Sequence, residues 1–175
     1  MNPKSLITGK PIMPKVLNGT STQILNDRLV DEYTAHFFYR AATNWCKGVG
    51  YNNAAKFFEE EAESELEHAE GLQKYLVDWN VTPTLPAVKP NITFGSLIDI
   101  VNKAYAIEYD LFTKYNQDSL KVFTTDITTF DFLQTYRNIQ NQSVAEYSDL
   151  LNAAQLIDPT NLLDIIHYEE YYFKG

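Results

Sequence analysis

Four long proline-free segments dominate this chain of 175 residues. They span residues from about 22 to 49, 53 to 79, 93 to 122 and 130 to 155, and apolar side chains recur along each at steps of three and four. That spacing places the apolar side chains on one face of an α-helix, and no segment shows the alternation typical of a β-strand. The sequence therefore predicts an all-α fold in which four long helices each bury one face.

The connections between these predicted helices indicate how they are arranged. Short breaks join the first helix to the second and the third to the fourth, so each pair is predicted to form an antiparallel hairpin. Residues 80–92, between the second and third helices, contain three prolines and can stretch to about 43 Å at roughly 3.3 Å per residue. Helices of this size are about 40 Å long, so the connection can run the length of the bundle. The prediction is a four-helix bundle with one long crossover.

Both ends of the chain lie outside this four-helix pattern. Residues 1–20 contain prolines and glycines without periodicity and are predicted to be an irregular N-terminal arm, which leaves residues 21–175 as one domain. Pro159 marks a break after the fourth helix. Residues 161–173 are predicted to form a short fifth helix.

Composition and charge exclude several classes of function. The formal net charge is -9, and Lys and Arg do not cluster, which argues against a nucleic-acid partner. A lone cysteine, Cys46, excludes an internal disulfide and a cysteine-rich metal site. No apolar run is long enough for a membrane span or for a signal-peptide core at the N-terminus. We therefore expect a soluble cytoplasmic protein with no membrane or nucleic-acid partner.

Polar residues interrupt the apolar face of every predicted long helix near its middle: Glu32, Glu65, Glu108 and Gln140. His68 follows Glu65 by three residues and so shares its face one turn away. Three buried carboxylates with no Lys or Arg on these faces would be strongly destabilising as bare charges, and a bound cation offsets that cost. A lone Glu-x-x-His is a weak signal. Four interruptions at matching depth, however, predict a di-iron or di-manganese site inside the bundle.

Over about residues 22–173 the sequence resembles the ferritin family. Four stretches carry the resemblance, one on each predicted long helix: LNDRLVDEYTAHFFYRAATNWC, EAESELEHAEGLQKYL, AYAIEYDLFTKYNQDSL and FDFLQTYRNIQNQS. The resemblance implies a ferritin-like four-helix bundle with one long crossover and a short fifth helix. It also implies iron storage and detoxification by a ferroxidase, in which O2 oxidises Fe(II) at a two-iron site in each subunit. Ferric mineral would then be deposited inside a homo-oligomeric, 24-subunit cage.

The resemblance assigns roles to the polar residues of the four helices. Glu32, Glu65 and His68 would hold the first iron, with Glu65 bridging to the second. Glu108 would hold the second iron, and Gln140 would hydrogen-bond water or oxygen near it. These five residues would form a ferroxidase centre within one subunit.

The resemblance also gives roles to residues outside this ligand set. Tyr39, seven residues after the first glutamate of the site, would hydrogen-bond a site carboxylate and take part in the redox chemistry. Glu67 and Glu70 lie off the apolar face of the second helix and would face the cavity and nucleate mineral; a solvated helix face explains them equally well. A fifth helix lining the four-fold axis of a cage would turn Glu169 or Glu170 toward solvent or the pore.

The fourth helix departs from two patterns within the family. Bacterioferritins repeat the Glu-x-x-His there, whereas this chain has Gln140 and Ser143, so we expect neither that type of site nor haem. Many prokaryotic ferritins have further glutamates for a third iron where this chain has Ile139, Gln142 and Ser143. The pattern is closer to the animal H-type centre, although Ser64 stands where that pattern has another glutamate. We therefore expect two irons per chain, with weaker binding of the second.

Three other interpretations of the sequence stay open. A DNA-protecting mini-ferritin would place its iron ligands between two subunits and would usually lack the fifth helix. A non-cage ferritin-like diiron oxidase would typically carry Glu-x-x-His on both the second and the fourth helix. A structural helical scaffold would pair its buried acids with other groups and would not depend on metal.

Overall fold

The computed structural model describes residues 14–87 and 92–173, and five helices form within them. They are α1 (Gly19–Val49), α2 (Asn52–Asp78), α3 (Leu97–Val122), α4 (Ile127–Ala154) and the short α5 (Leu162–Tyr172). Neither of the two described ranges contains a β-strand, so the predicted all-α class with a short fifth helix is confirmed. In the same ranges, no helix has an apolar stretch long enough to cross a membrane.

The described parts of the long connection between α2 and α3 contact α1 at two separate places along its length. Near its start the Thr84 N–H donates to Asn26 Oδ1 at 2.8 Å, close to the beginning of α1. Near its end the Phe94 ring packs edge-on against Phe38 and Trp45, with ring centroids 5.4 and 6.5 Å apart. α2 and α3 therefore run parallel, while α1 with α2 and α3 with α4 form the two predicted hairpins.

The first helix begins earlier than the sequence predicts, because a side chain before it caps its N-terminus. Asn18 Oδ1 accepts the Ser21 N–H at 2.8 Å, so α1 includes residues assigned to the N-terminal arm. Residues 14–18 are not helical. The rest of the predicted arm, residues 1–13, lies outside the described residues, as do residues 88–91 of the crossover.

Capping side chains also set the starts of α3 and α4. Ser96 Oγ accepts the Asp99 N–H at 3.0 Å, so α3 starts at residue 97 rather than near the predicted residue 93. Asp126 Oδ1 accepts the Thr129 N–H at 3.1 Å, so α4 starts at residue 127, before the predicted residue 130. In both places a side-chain acceptor satisfies a first-turn N–H that has no partner within the helix.

The short helix α5 packs against the start of α2 through a buried carboxylate. Glu169 Oε1 accepts the backbone N–H groups of Asn53 at 2.6 Å and Ala54 at 2.9 Å. A carboxylate at this position satisfies first-turn donors and interacts favourably with the helix dipole. Of the two glutamates expected to face solvent or a pore, Glu170 is exposed, whereas Glu169 is buried as this cap.

The core of the bundle follows the predicted three- and four-residue steps on each long helix. On α2 the buried residues at these steps are Phe58, Ala62, Glu65, Ala69, Leu72 and Leu76. The polar residues that interrupt the apolar faces of the other three long helices, Glu32, Glu108 and Gln140, are buried as well. The fold thus places all four interrupting residues inside the bundle.

Candidate metal centre

Three potential metal ligands from α1 and α2 converge inside the bundle. Glu32 on α1 and Glu65 on α2 are buried, and His68 follows Glu65 by one turn. One ligand atom from each of the three lies within 4.8 Å of the other two. His68 Nδ1 is 3.1 Å from Glu65 Oε2 and 3.6 Å from Glu32 Oε2. The structure therefore brings together the three residues that the resemblance assigns to the first iron.

A carboxylate from α3 and an amide from α4 extend this cluster. Glu108 is completely buried, and Gln140 is 1% exposed. Glu108 lies close enough to Glu32 for their charges to repel, and Gln140 also lies close to Glu108. All four long helices thus contribute to one buried polar site.

Three buried oxygens of this site have no hydrogen-bond partner among the described residues: Glu32 Oε2, Glu108 Oε2 and Gln140 Oε1. Buried polar atoms nearly always have a partner, and leaving one unpaired costs roughly 1–3 kcal/mol. Each of the three oxygens offers lone pairs, and carboxylate and amide oxygens are ligands for hard cations. The donor set therefore fits divalent metal ions.

Two tyrosines donate hydrogen bonds to two carboxylates of the site. The Tyr39 hydroxyl donates to Glu108 Oε1, and the Tyr115 hydroxyl donates to Glu32 Oε1. Both tyrosines are completely buried. The contact of Tyr39 is the kind that the resemblance implies. Tyr115 was not predicted as a site residue, because a tyrosine at a core step is equally typical of an ordinary helical core.

Burial and the repulsion between neighbouring carboxylates favour the protonated forms of Glu65 and Glu108. Burial raises the pKa of Glu108 to about 7. Burial, together with the neighbouring charge of Glu32, raises the pKa of Glu65 well above its usual value. Burial disfavours the charged imidazole of His68, but hydrogen bonds to Glu32 and Glu65 outweigh it and raise the His68 pKa to about 10. A cation must displace these protons, so metal binding and proton release are coupled.

Glu61 is a further carboxylate near the site that the sequence did not indicate. It lies one turn before Glu65 on α2 and accepts the Tyr147 hydroxyl at 3.0 Å. Burial raises the pKa of Glu61 to about 7, and its charge also raises the pKa of Glu108. In the sequence it belongs to an acidic run typical of a solvated helix face. Its spacing of four residues from Glu65 was the sequence feature that could have indicated that Glu61 lies near the site.

The remaining predicted residues lie outside the buried cluster. Glu67 and Glu70 are exposed on α2, which is compatible with both roles considered for them. Ser143 on α4 is half-buried, and its Oγ donates to the Ile139 carbonyl of its own helix at 3.4 Å. Gln142 is exposed. These α4 positions therefore offer the site no carboxylate for a third metal.

Comparison with known proteins shows which family of proteins this chain is similar to. The family model described as the ferritin-like domain matches residues 22–157. A bacterial non-heme ferritin of Campylobacter jejuni is 28% identical over 144 residues, covering 81% of this chain and 86% of that protein. A probable bacterial non-heme ferritin-like protein of Haemophilus influenzae is 27% identical over 139 residues, covering 78% of this chain and 84% of that protein.

A solved structure shares the fold. A ferritin from the archaeon Archaeoglobus fulgidus, described as an open pore ferritin, matches with a TM-score of 0.83 over 90% of this chain and 98% of that chain. Its sequence identity to this chain is 16%, so the likeness concerns the fold alone. It agrees with four long helices joined by one long crossover and followed by a short fifth helix.

Proposed function

Because this chain belongs to the ferritin family, a family of iron-storage proteins, we propose that it oxidises Fe(II) with O2 at the buried site and stores the ferric product. Fe(II) is the substrate and O2 is the oxidant. The chemistry takes place within one subunit, since α1, α2, α3 and α4 of a single chain supply all the ligands named above.

The observation that supports this function best is a set of carboxylate ligands buried without a Lys or Arg as counter-ion. Among the ion pairs of the described residues, none joins Glu32, Glu65 or Glu108 to a Lys or Arg, and His68 pairs with Glu32 and Glu65. A structural scaffold would pair these carboxylates with cationic side chains or keep them protonated. A pair of divalent cations supplies that compensation and satisfies the unpartnered oxygens.

Each residue of the site has a specific role in this proposal. Glu32, Glu65 and His68 bind one Fe(II), and Glu65 is shared with a second Fe(II) bound by Glu108. The amide of Gln140 hydrogen-bonds water or oxygen beside Glu108. Anionic oxygen ligands stabilise Fe(III) more than Fe(II), so these side chains favour electron loss to O2.

We further propose that copies of the chain assemble into a closed cage around the stored iron, as the 24-subunit arrangement of the family implies. Two exposed apolar surfaces support assembly. The α3–α4 patch consists of Leu120, Phe123 and Ile127, and the α5 patch consists of Leu156, Leu162 and Leu163. Exposed apolar patches of this kind mark interaction surfaces.

Aerobic addition of Fe(II) to the iron-free protein tests the proposed ferroxidase centre. Ferric absorbance should rise in a fast phase that saturates near two Fe(II) per chain and is absent from the Glu65→Ala/His68→Ala double variant. Both substitutions remove ligands without adding bulk. Slow oxidation at the same rate in both proteins would contradict the ferroxidase function and favour the scaffold.

A Glu67→Ala/Glu70→Ala double variant is the matched control on the same helix. These two glutamates are exposed, so the fast phase should remain. A slower second phase in this variant, as iron is added in excess, would support their role in nucleating mineral. An unchanged second phase would mean that these two glutamates do not nucleate mineral and only form a solvated helix face.

A further inference from the structure

The two ring nitrogens of His68 face different partners. Nδ1 lies 3.1 Å from Glu65 Oε2 and 3.6 Å from Glu32 Oε2. Nε2, on the far side of the ring, lies 3.4 Å from the hydroxyl oxygen of Ser64. Ser64 precedes His68 by four residues, so the two side chains share one face of α2 one turn apart. A metal ion held by the two carboxylates would therefore meet Nδ1, while Nε2 stays beside Ser64.

The hydroxyl of Ser64 is directed differently from other hydroxyls in this bundle. Inside a helix, serine and threonine side chains commonly bond to the carbonyl four residues back. Ser119 donates to its own helix in this way at 2.7 Å, and Ser143 does so at 3.4 Å. Within the two described ranges, the Ser64 side chain hydrogen-bonds His68 instead. Its hydroxyl is therefore directed to the imidazole rather than to the backbone of α2.

A tyrosine from α4 holds the same histidine from a second direction. The Tyr136 hydroxyl donates to the main-chain oxygen of His68 at 3.0 Å. The Tyr136 ring meets the imidazole nearly edge-on, with ring centroids 6.0 Å apart and an angle of 71° between the planes. Tyr136 thus contacts both the backbone and the ring of His68, which limits rotation of the imidazole away from the carboxylates.

A glycine in the middle of α2 makes room for this contact. A Cβ added at Gly71 would lie 2.5 Å from the Tyr136 hydroxyl oxygen. Glycine inside a helix is less favourable than alanine, because it loses more conformational freedom on folding. α2 has this weaker helix former at the position that lets Tyr136 reach the turn of His68. The sequence thus favours the contact over the stability of the helix.

The chemistry of imidazole makes the partner of Nε2 important. A neutral imidazole has one protonated nitrogen, and a metal ion binds the other one. The hydrogen bond of the protonated nitrogen decides which nitrogen is free and how strongly it binds the metal. A carboxylate partner would strengthen binding, whereas a hydroxyl accepts the N–H without adding a charge. A hydroxyl partner therefore orients the ligand and keeps its binding weak enough for a metal ion to leave as product.

We propose that Ser64 is a positioning residue of the metal site. Its hydroxyl accepts the Nε2–H of His68 and thereby turns the lone pair of Nδ1 toward the Fe(II) held by Glu32 and Glu65. Tyr136 keeps the backbone and the ring of His68 in this orientation. The proposal rests on the ferroxidase function proposed above, because it requires His68 to be a ligand of the substrate Fe(II).

Co(II) binding to the metal-free protein tests this role without relying on oxidation. Competition with a chelator measures the affinity for the first Co(II) per chain, and the visible absorbance of bound Co(II) reports its ligands. Ser64→Ala should lower this affinity by roughly 10- to 100-fold. Ser64→Thr restores a hydroxyl and should bind Co(II) nearly as tightly as the unchanged protein. Because alanine is a good helix former, metal-free Ser64→Ala should show no loss of stability in thermal denaturation.

Ser143→Ala is the matched control, because Ser143 is also half-buried but donates to the carbonyl of its own helix. It should keep the Co(II) affinity of the unchanged protein. Equal Co(II) affinity of Ser64→Ala and Ser143→Ala would show that Ser64 does not position His68. An equal loss of affinity in Ser64→Ala and Ser64→Thr would also contradict the proposal, since the hydroxyl would then not be the cause.

The Co(II) measurements and the oxidation assay separate this role from the ferroxidase function. If Glu65→Ala/His68→Ala binds Co(II) as tightly as the unchanged protein, His68 is not a ligand and the role of Ser64 is wrong. If Co(II) binding is as expected but the unchanged protein lacks the fast phase of Fe(II) oxidation, Ser64 does position a metal ligand and the ferroxidase function alone is wrong.

Discussion

Glu108 shows at the scale of one residue how burial links the site to the stability of the fold. Its pKa is raised from 4.5 to about 7, mainly by burial. Between these two values the folded protein holds a proton that the unfolded chain has lost. The stability from this group is therefore fully present below the unfolded pKa and is lost as the pH rises through the folded pKa.

A Glu108→Gln variant should lose this part of the pH dependence. The free energy of unfolding of the metal-free protein should fall from about pH 5 to about pH 8, and a shift of this size corresponds to roughly 3 kcal/mol. Glutamine keeps an oxygen that can accept the Tyr39 hydroxyl but has no proton to lose. The free energy of unfolding of the variant should therefore change less between pH 5 and pH 8. Urea denaturation at both pH values measures this, with the exposed Glu67→Gln as control. Parallel curves for Glu108→Gln and the unchanged protein would show that Glu108 does not titrate in this range.

The sequence predicts a site residue when that residue violates the pattern around it. Glu32, Glu65 and Glu108 could be found because a carboxylate at an apolar step needs an explanation. Tyr115 could not, since a tyrosine fits a core step whether or not its hydroxyl meets a carboxylate. Glu61 was obscured by the acidic residues on either side of it, and its burial depends on how α4 packs over α2.

Among the helices, the sequence predicts the long elements and their C-terminal ends well, but the predicted starts of α1, α3 and α4 differ from the structure by three or four residues. Periodicity extends over many turns, so an error at one position matters little. A helix start, by contrast, depends on one hydrogen bond from one side chain. Asn18, Ser96 and Asp126 supply such bonds locally, but the start of α2 is capped by Glu169, which is distant in sequence and becomes a neighbour only through tertiary packing.

Glu169→Ala should destabilise the protein and loosen α5 from the start of α2. The substitution leaves the Asn53 and Ala54 N–H groups without their acceptor, and loss of such a cap costs about 1–2 kcal/mol. Thermal denaturation measures the loss of stability, and hydrogen exchange at these two amides measures the local opening. Glu170→Ala is the control, because Glu170 is exposed on the same helix. Equal stability of the two variants would show that the contact contributes nothing.

Gly71→Ala should also destabilise the protein, although alanine is the better helix former. The new methyl group would meet the Tyr136 hydroxyl at 2.5 Å, and such overpacking costs about 1–3 kcal/mol against a gain of about 1 kcal/mol from helix propensity. Gly48→Ala on α1 is the control, since no atom lies within 4 Å of its added Cβ. In chemical denaturation, Gly71→Ala should be less stable than the unchanged protein and Gly48→Ala more stable. A stabilised Gly71→Ala would mean that Tyr136 moves aside without cost.

For the whole molecule, the metal site and the surfaces proposed for assembly are separate. The site lies inside one bundle. The α3–α4 patch lies at the end of the bundle where α1 begins, and the α5 patch lies at the opposite end, beside the start of α2. Two different patches at opposite ends allow each subunit to meet different neighbours at each end, as a closed shell requires.

Leu163→Glu and Leu120→Glu should therefore each reduce the size of the assembly without unfolding the subunit. Both side chains are strongly exposed, at 74% and 77%, so a charge there disturbs contacts between chains more than the core. Analytical ultracentrifugation measures the mass and circular dichroism the helix content. Asn102→Glu adds a charge at an exposed position of α3 outside both patches and should leave the assembly intact.

The smaller assemblies should keep the fast phase of Fe(II) oxidation per chain, because one subunit supplies every ligand of the site. They should lose the capacity to keep ferric iron in solution when iron is added in large excess, since no closed cavity holds the mineral. Iron that stays soluble after centrifugation measures this capacity. Loss of the fast phase together with the assembly would instead indicate that a neighbouring chain contributes ligands, as in the mini-ferritin arrangement.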